Sequence, residues 1–201
     1  MDSFESVCGK LIKQPEFWTR ILIGIVVSAI PFVNIFALGY LRRMVDEPDR
    51  GDNITLPVWD FSVQNIRYNF IAGLQVLIFL LIFLFVPMGI GYAIGICFSW
   101  LSSSMSLFLT YLAFLIGLPT AVYAMLIIRN MDELASVQIV LAMFKRTIDT
   151  YRSLIVPVFL FLCLVILGVQ FLPRIMLGMP LFLGLIFMIA FMKNLRIVYD
   201  R

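Results

Sequence analysis

Side chains that do chemistry are scarce in this sequence. It has no histidine. Cys8, Cys97 and Cys163 stand apart without a CxxC pair, so neither a disulfide framework nor a zinc site is expected. Ser102-Ser103-Ser104 has no base nearby and reads as a polar turn. Acids gather at Asp46-Glu47-Pro48-Asp49-Arg50-Gly51-Asp52-Asn53, an exposed-turn composition that lacks the ligand spacing of an EF-hand loop. Membrane proteases, lipid phosphatases, acyltransferases and phosphodiesterases draw on His, paired acids or metal-bound acids. None of these sets is legible. No catalytic residue, metal ligand or cofactor is assigned, and the expectation is a protein that is not an enzyme.

Three cations invite a different chemistry. Lys145, Arg146 and Arg152 lie toward the C-terminal end of an amphipathic stretch, 131–152, whose apolar residues Leu134, Val137, Leu141, Phe144, Ile148 and Tyr151 follow a 3-4-3-4-3 spacing. That pattern predicts an amphipathic cytoplasmic helix along the membrane surface, with its cations on anionic headgroups. Two more amphipathic helices are predicted, at 1–14 (Phe4, Val7, Cys8, Leu11, Ile12) and at 57–70 (Trp59, Val63, Ile66, Phe70). Packing of these stripes against the protein's own helices is the plainer alternative. Ser62-Val63-Gln64 and Ser136-Val137-Gln138 form a weak internal echo, each near the start of such a helix and each followed by two spans.

The elements that carry these residues follow from composition. Of 201 residues 62% are apolar and 13% charged, against about 45–50% and about 25% in soluble domains. A soluble domain of this size could not hide so much apolar surface. Charges are absent from Ile21–Leu41, Tyr68–Ile128, Ser153–Pro173 and Ile175–Met192. A helix crossing the hydrocarbon core needs about 20 mostly apolar residues, and continuous runs of this length are helical, not barrel strands. The reading is one all-α, polytopic integral membrane domain over 1–201. Its transmembrane helices fall at 71–98, 105–128, 153–172 and 175–192, with a special element at 20–41. The first 16 residues hold no uninterrupted apolar core, so no cleaved signal peptide is expected. No dense basic stripe with interleaved aromatics occurs, so nucleic acid is not an expected partner.

Within the apolar runs the polar and backbone-breaking residues are mild. Pro31, Pro87, Pro119, Pro157 and Pro180 interrupt them. Pro87 frees the Phe83 carbonyl and Pro119 that of Leu115. Kinked packing is the expected use of these breaks, and a permeation or small-molecule site near Pro87 and Pro119 is the alternative. Gly91-x-x-x-Gly95 permits close helix approach, within the chain or by self-association. Asn34, in an apolar run, is expected to bond a partner inside the protein such as the Val27 carbonyl. Gly24 and Gly39 would admit close neighbours.

Pro15-Glu16-Phe17-Trp18, Leu22-Ile23-Gly24, Ile30-Pro31-Phe32-Val33-Asn34, Ala37-Leu38-Gly39-Tyr40-Leu41 and Leu56-Pro57-Val58-Trp59-Asp60-Phe61 form an ordered series. Over residues 15–75 it resembles a prokaryotic integral-membrane family of unknown function that carries LIGG…IPxxN…LGYLxR and LPxWDDF blocks. Ile25 replaces the second glycine, and Asp60 stands alone where the family has two acids. The resemblance implies the membrane class, in a prokaryotic inner or plasma membrane, and implies no catalytic residue.

The cations decide between two topologies. If 20–41 spans the membrane, there are five transmembrane helices, and Lys10, Lys13, Arg20 and Arg174 face eleven cations across the membrane. If 20–41 is a re-entrant hairpin folding at residues 30–34, the division becomes fourteen to one, with Arg174 alone outside. Lys and Arg excess marks the cytoplasmic side, which favours four spans, one hairpin and cytoplasmic termini. Spans without coupling charges favour a membrane scaffold or anchoring module whose partners are membrane lipids, a membrane protein or a second copy. The alternative is a small permease or channel for an uncharged or amphipathic solute.

Overall fold

The computed structural model describes residues 3–47, 55–100, 102–129, 131–173 and 178–199. Every regular element among them is helical. Four helices are long and apolar enough to cross a membrane: Val63–Cys97, Met105–Ile127, Val137–Phe171 and Gly178–Leu195. The protein is an all-α, polytopic membrane protein. The chain divides into two compact units, Met1–Val76 with Ile155–Arg201, and Leu77–Leu154.

In the first unit, α1 (Phe4–Ile12) is capped by Ser3, whose hydroxyl accepts the Ser6 N–H at 3.2 Å. Its stripe faces inward: Val7 and Leu11 are buried, and the Phe4 ring meets Phe191 edge-on at 5.4 Å. Helix α2 (Phe17–Ala29) stops where Pro31 withholds an N–H and Phe32 takes a left-handed backbone (φ 66°). The Asn34 N–H closes this break on the Ile30 carbonyl at 3.0 Å. Helix α3 (Asn34–Asp46) then returns. Residues 55–62 are non-helical, and α4 (Val63–Leu80) follows them. Helix α8 (Gly178–Tyr199) packs on α1, α2 and α3. A Cβ on Gly24 would strike the Phe182 ring and one on Gly178 the Ser28 carbonyl, so α2 and α8 run antiparallel. Gly39 lies against Asn69 and Gly73 against Ile35, which places α3 and α4 in backbone contact.

In the second unit, a π-helical turn (Leu81–Phe85) leads into α5 (Val86–Cys97). Pro87 cannot donate to the Phe83 carbonyl, and the widened turn takes up the break: the Val86 N–H reaches back to the Leu81 carbonyl. Helix α6 (Met105–Ile127) returns antiparallel to α5. Gly91 sits on the Leu109 carbonyl, Gly95 on Ser106, and Gly117 on the Phe83 carbonyl. The Gly91–Gly95 pattern therefore serves packing within the chain. A 3-10 turn (Met131–Ala135) precedes α7 (Val137–Phe171), whose Phe144 ring lies 5.8 Å from Phe83.

Several expectations are corrected. The helix expected at 57–70 is not separate from the span expected at 71–98. Residues 55–61 are non-helical, and one helical run of 35 residues extends from Val63 to Cys97. Nothing at 70–71 breaks the hydrogen-bond ladder, whereas Pro57 and the side chains described below hold 55–61 outside any helix. The 131–152 and 153–172 elements likewise merge into α7, 35 residues long and continuous through Pro157. A proline costs one ladder bond without requiring a break. The amphipathic stretch is thus the first half of a long helix, not an independent surface element. The last span is described from Gly178, and its expected first residues, 175–177, lie outside the described residues. Asn34 is exposed at the hairpin tip, and the Val27 carbonyl accepts from the Ile30 N–H instead. The acidic-turn residues 48–53 and Arg174 lie outside the described residues.

Candidate functional site

The decisive geometry is at the open end of α2–α3. Arg20, near the start of α2, donates to the Leu56 carbonyl, and Arg43, near the end of α3, donates to the Val58 carbonyl at 3.3 Å. In one straight helix these residues would stand about 35 Å apart. Here they grip carbonyls two residues apart, so 20–41 is folded back on itself.

Residues 55–61 form a strap across this mouth. The Tyr40 and Trp59 rings stack 4.3 Å apart at 7°. The Tyr40 hydroxyl donates to the Pro57 carbonyl at 2.9 Å, and the Trp59 indole N–H donates to the Arg20 carbonyl at 2.8 Å. Gln14 accepts the Leu56 N–H at 3.1 Å, and Glu16 pairs with Arg20 at 3.0 Å. The strap ends in a cap. Asp60 accepts the Ser62 N–H at 2.8 Å and the Asn65 side-chain amide, while the Ser62 hydroxyl accepts the Asn65 N–H at 3.4 Å. The Ser62 N–H, then the Asn65 amide, hold the Asp60 carboxyl below its ordinary value.

The end of α3 completes the site. Lys193 of α8 is buried and donates to the carbonyls of Met44 (3.0 Å) and Glu47 (2.7 Å), the helix end where a cation is favoured. Buried Arg42 pairs with Asp46 at 3.3 Å, and Tyr68 donates to Asp46 at 3.1 Å. An open cavity of about 300 Å³ lies here, lined by Arg43, Asp46, Glu47, Asn65 and Tyr68.

The residues named from sequence are placed unevenly. Pro31 and Gly39 belong to this hairpin, Pro31 at its tip and Gly39 at the α4 crossing. Pro87, Gly91, Gly95 and Pro119 shape the second unit. There the Leu115 carbonyl freed by Pro119 accepts the Tyr151 hydroxyl at 3.3 Å. Lys145, Arg146 and Arg152 are exposed on α7, with Arg146 3.5 Å from the Tyr123 hydroxyl. They converge on no cavity described here. Val137, Leu141, Ile148, Ile155, Phe159 and Ile166 form an exposed apolar line along the same helix. Burial pushes the Cys8 thiol up to about 11, so it is a poor nucleophile. Sequence reasoning missed the cavity residues Arg43, Glu47, Asn65 and Tyr68, and Lys193. The available signal was the clustering of aromatic and polar residues at 40–43 and 56–61, two segments that must meet if 20–41 folds back. No protein-family model, curated protein or solved structure matches the chain.

Proposed function

We propose that this protein is a non-enzymatic membrane module that organises or anchors a partner or lipids at the cytoplasmic face of a prokaryotic inner or plasma membrane. The observation that carries the reading is the strap. Arg20, Tyr40, Arg43, Trp59 and Gln14 bond backbone groups of the chain itself, so the densest polar cluster of the described residues serves architecture. The residues that resemble a prokaryotic membrane family are largely those that meet in this closure. The exposed line on α7, flanked by Lys145 and Arg152, suits acyl chains with anionic headgroups above them. Membrane lipids are the standing partners, with a protein partner or a second copy added.

The orientation belongs to the same proposal. A closed α2–α3 hairpin returns the chain to the side it came from, and four spans then leave both termini in the cytoplasm. The Phe4–Phe191 contact, which seats α1 beside the C-terminal half of α8, supports this. Purification with partners retained tests the function: a stoichiometric protein or lipid partner is expected. Saturable solute uptake by vesicles holding the pure protein would replace the module with a permease. In a cysteine-free background, Ser3→Cys should resist an impermeant thiol reagent on intact cells and react after lysis. Labelling before lysis would restore the five-span topology.

A further inference from the structure

The cavity at the hairpin mouth has a charge pattern that the module reading leaves unused. Arg43 enters it from α3 with one guanidinium N–H engaged on the strap. Opposite in sign are Asp46, already held by Arg42 and Tyr68, and Glu47. Among the described residues, Glu47 Oε2 is buried and has no hydrogen-bond partner. A buried carboxylate oxygen left this way is costly unless a donor reaches it. Lys193 bonds the Glu47 backbone carbonyl. Tyr68 and Asn65 add neutral polar groups to the lining. Beyond Tyr68, the exposed surface of α4 turns apolar at Phe70, Ile71 and Leu74. The cavity therefore sits where polar chain gives way to an apolar span, the level at which headgroups lie.

We propose that this cavity binds a phosphoethanolamine group, with its primary ammonium on Glu47 and Asp46 and its phosphate on Arg43. The lining carries one positive and two negative side chains, which favours a zwitterion and disfavours an anionic headgroup. A primary ammonium offers N–H donors to the Glu47 and Asp46 carboxylates of the lining, whereas a quaternary choline offers none. About 300 Å³ holds such a headgroup, and its chains would run along Phe70, Ile71 and Leu74. The site deepens the lipid half of the module reading and rests on it.

The test uses the full-length protein in detergent and native mass spectrometry with phospholipids of identical chains. Ethanolamine lipid should bind about tenfold more tightly than choline lipid, with monomethyl and dimethyl headgroups in between. Glu47→Gln, which leaves the backbone bond to Lys193 in place, should erase that preference, and Arg67→Gln, on exposed α4 surface, should preserve it. Equal binding of ethanolamine and choline lipids by the wild type overturns the proposal even if the variant fails to fold, as does a preference that survives Glu47→Gln. Free phosphoethanolamine at millimolar concentration distinguishes the sources: displacement of the lipid identifies a soluble ligand of the same chemistry, and no displacement identifies the lipid. A protein partner that co-purifies equally with Glu47→Gln, alongside absent headgroup preference, would leave the module standing and remove this site.

Discussion

The α5–α6 hairpin is closed by its own backbone, whereas α2–α3 is closed by side chains reaching a strap that follows it in sequence. In α5–α6, Gly91 and Gly95 bring one helix onto the Leu109 carbonyl and Ser106 of the other. In α2–α3, Gly24 and Gly39 face outward, toward α8 and α4. The arms meet at their mouth through Arg20, Tyr40, Arg43 and Trp59. The difference follows from length. The continuous 35-residue run that ends in α5 and the 23-residue α6 offer room for a glycine seam, but two arms of 13 residues each are too short to cross a membrane. Their closure falls at the polar end, where hydrogen bonds to an irregular backbone can hold it.

Breaking each closure by its own device should give the largest effects. Gly95→Ala puts a Cβ into the Ser106 backbone and should cost about 3 kcal/mol, a loss of several degrees in thermal unfolding in detergent. Gly89→Ala, where nothing stands within 4 Å of the new carbon, should be neutral or slightly stabilising. If the two variants melt alike, the seam does not close α5–α6. In the other hairpin, Trp59→Phe removes the donor to the Arg20 carbonyl and part of the stacked surface. A loss of about 2 kcal/mol is expected, and it should fall mainly on protease resistance around residues 17–46.

Two tyrosines sharpen the contrast further. Tyr40→Phe deprives the Pro57 carbonyl, and Tyr151→Phe deprives the Leu115 carbonyl. Each should cost about 1 kcal/mol. Combined with Trp59→Phe, Tyr40→Phe should be non-additive because both act on the strap, while Tyr151→Phe should add. Additivity of the strap pair would mean the strap is not one unit. The smallest effect concerns pH. The Asp60 carboxyl is held below its ordinary value near 3.8. Its contribution is therefore present above that value and lost as pH falls through the lowered folded value. The melting difference between wild type and Asp60→Asn should be constant near neutrality and shrink in acid. A difference that persists unchanged in acid would remove the cap from the strap's closure.

Much of this was legible in the sequence because lipid imposes strong rules. Charge-free runs locate spans, and the cation balance favours a hairpin at 20–41 that the structure supplies as α2 and α3. The amphipathic stretches at 57–70 and 131–152 misled for one reason. Periodicity reports a face, but it does not report whether the helix ends, and neither Ser62-to-Phe70 nor Pro157 contains a sufficient stop. Asn34 misled because a polar residue in an apolar run suggests a buried partner, whereas it opens α3 at an exposed turn. The cavity was illegible because Arg43 and Glu47, at the end of α3, and Asn65 and Tyr68, on α4, meet only where Gly39 and Gly73 permit backbone contact, a property of three-dimensional register.

The contacts of α8 set an order of events. The strap can grip the hairpin once residue 61 has been made, but Phe182 beside Gly24, Gly178 beside Ser28 and Lys193 on the Met44 carbonyl come from the far end of the chain. At about 5–20 residues per second, roughly 7–26 s of synthesis separate the strap from Lys193. Through that interval the hairpin is latched and backed by α4, with Gly24 and the end of α3 awaiting their cover from α8. A ribosome that stalls after α7 leaves the latch and α4 to hold it, and the insertion machinery or a protease meets the hairpin in that state.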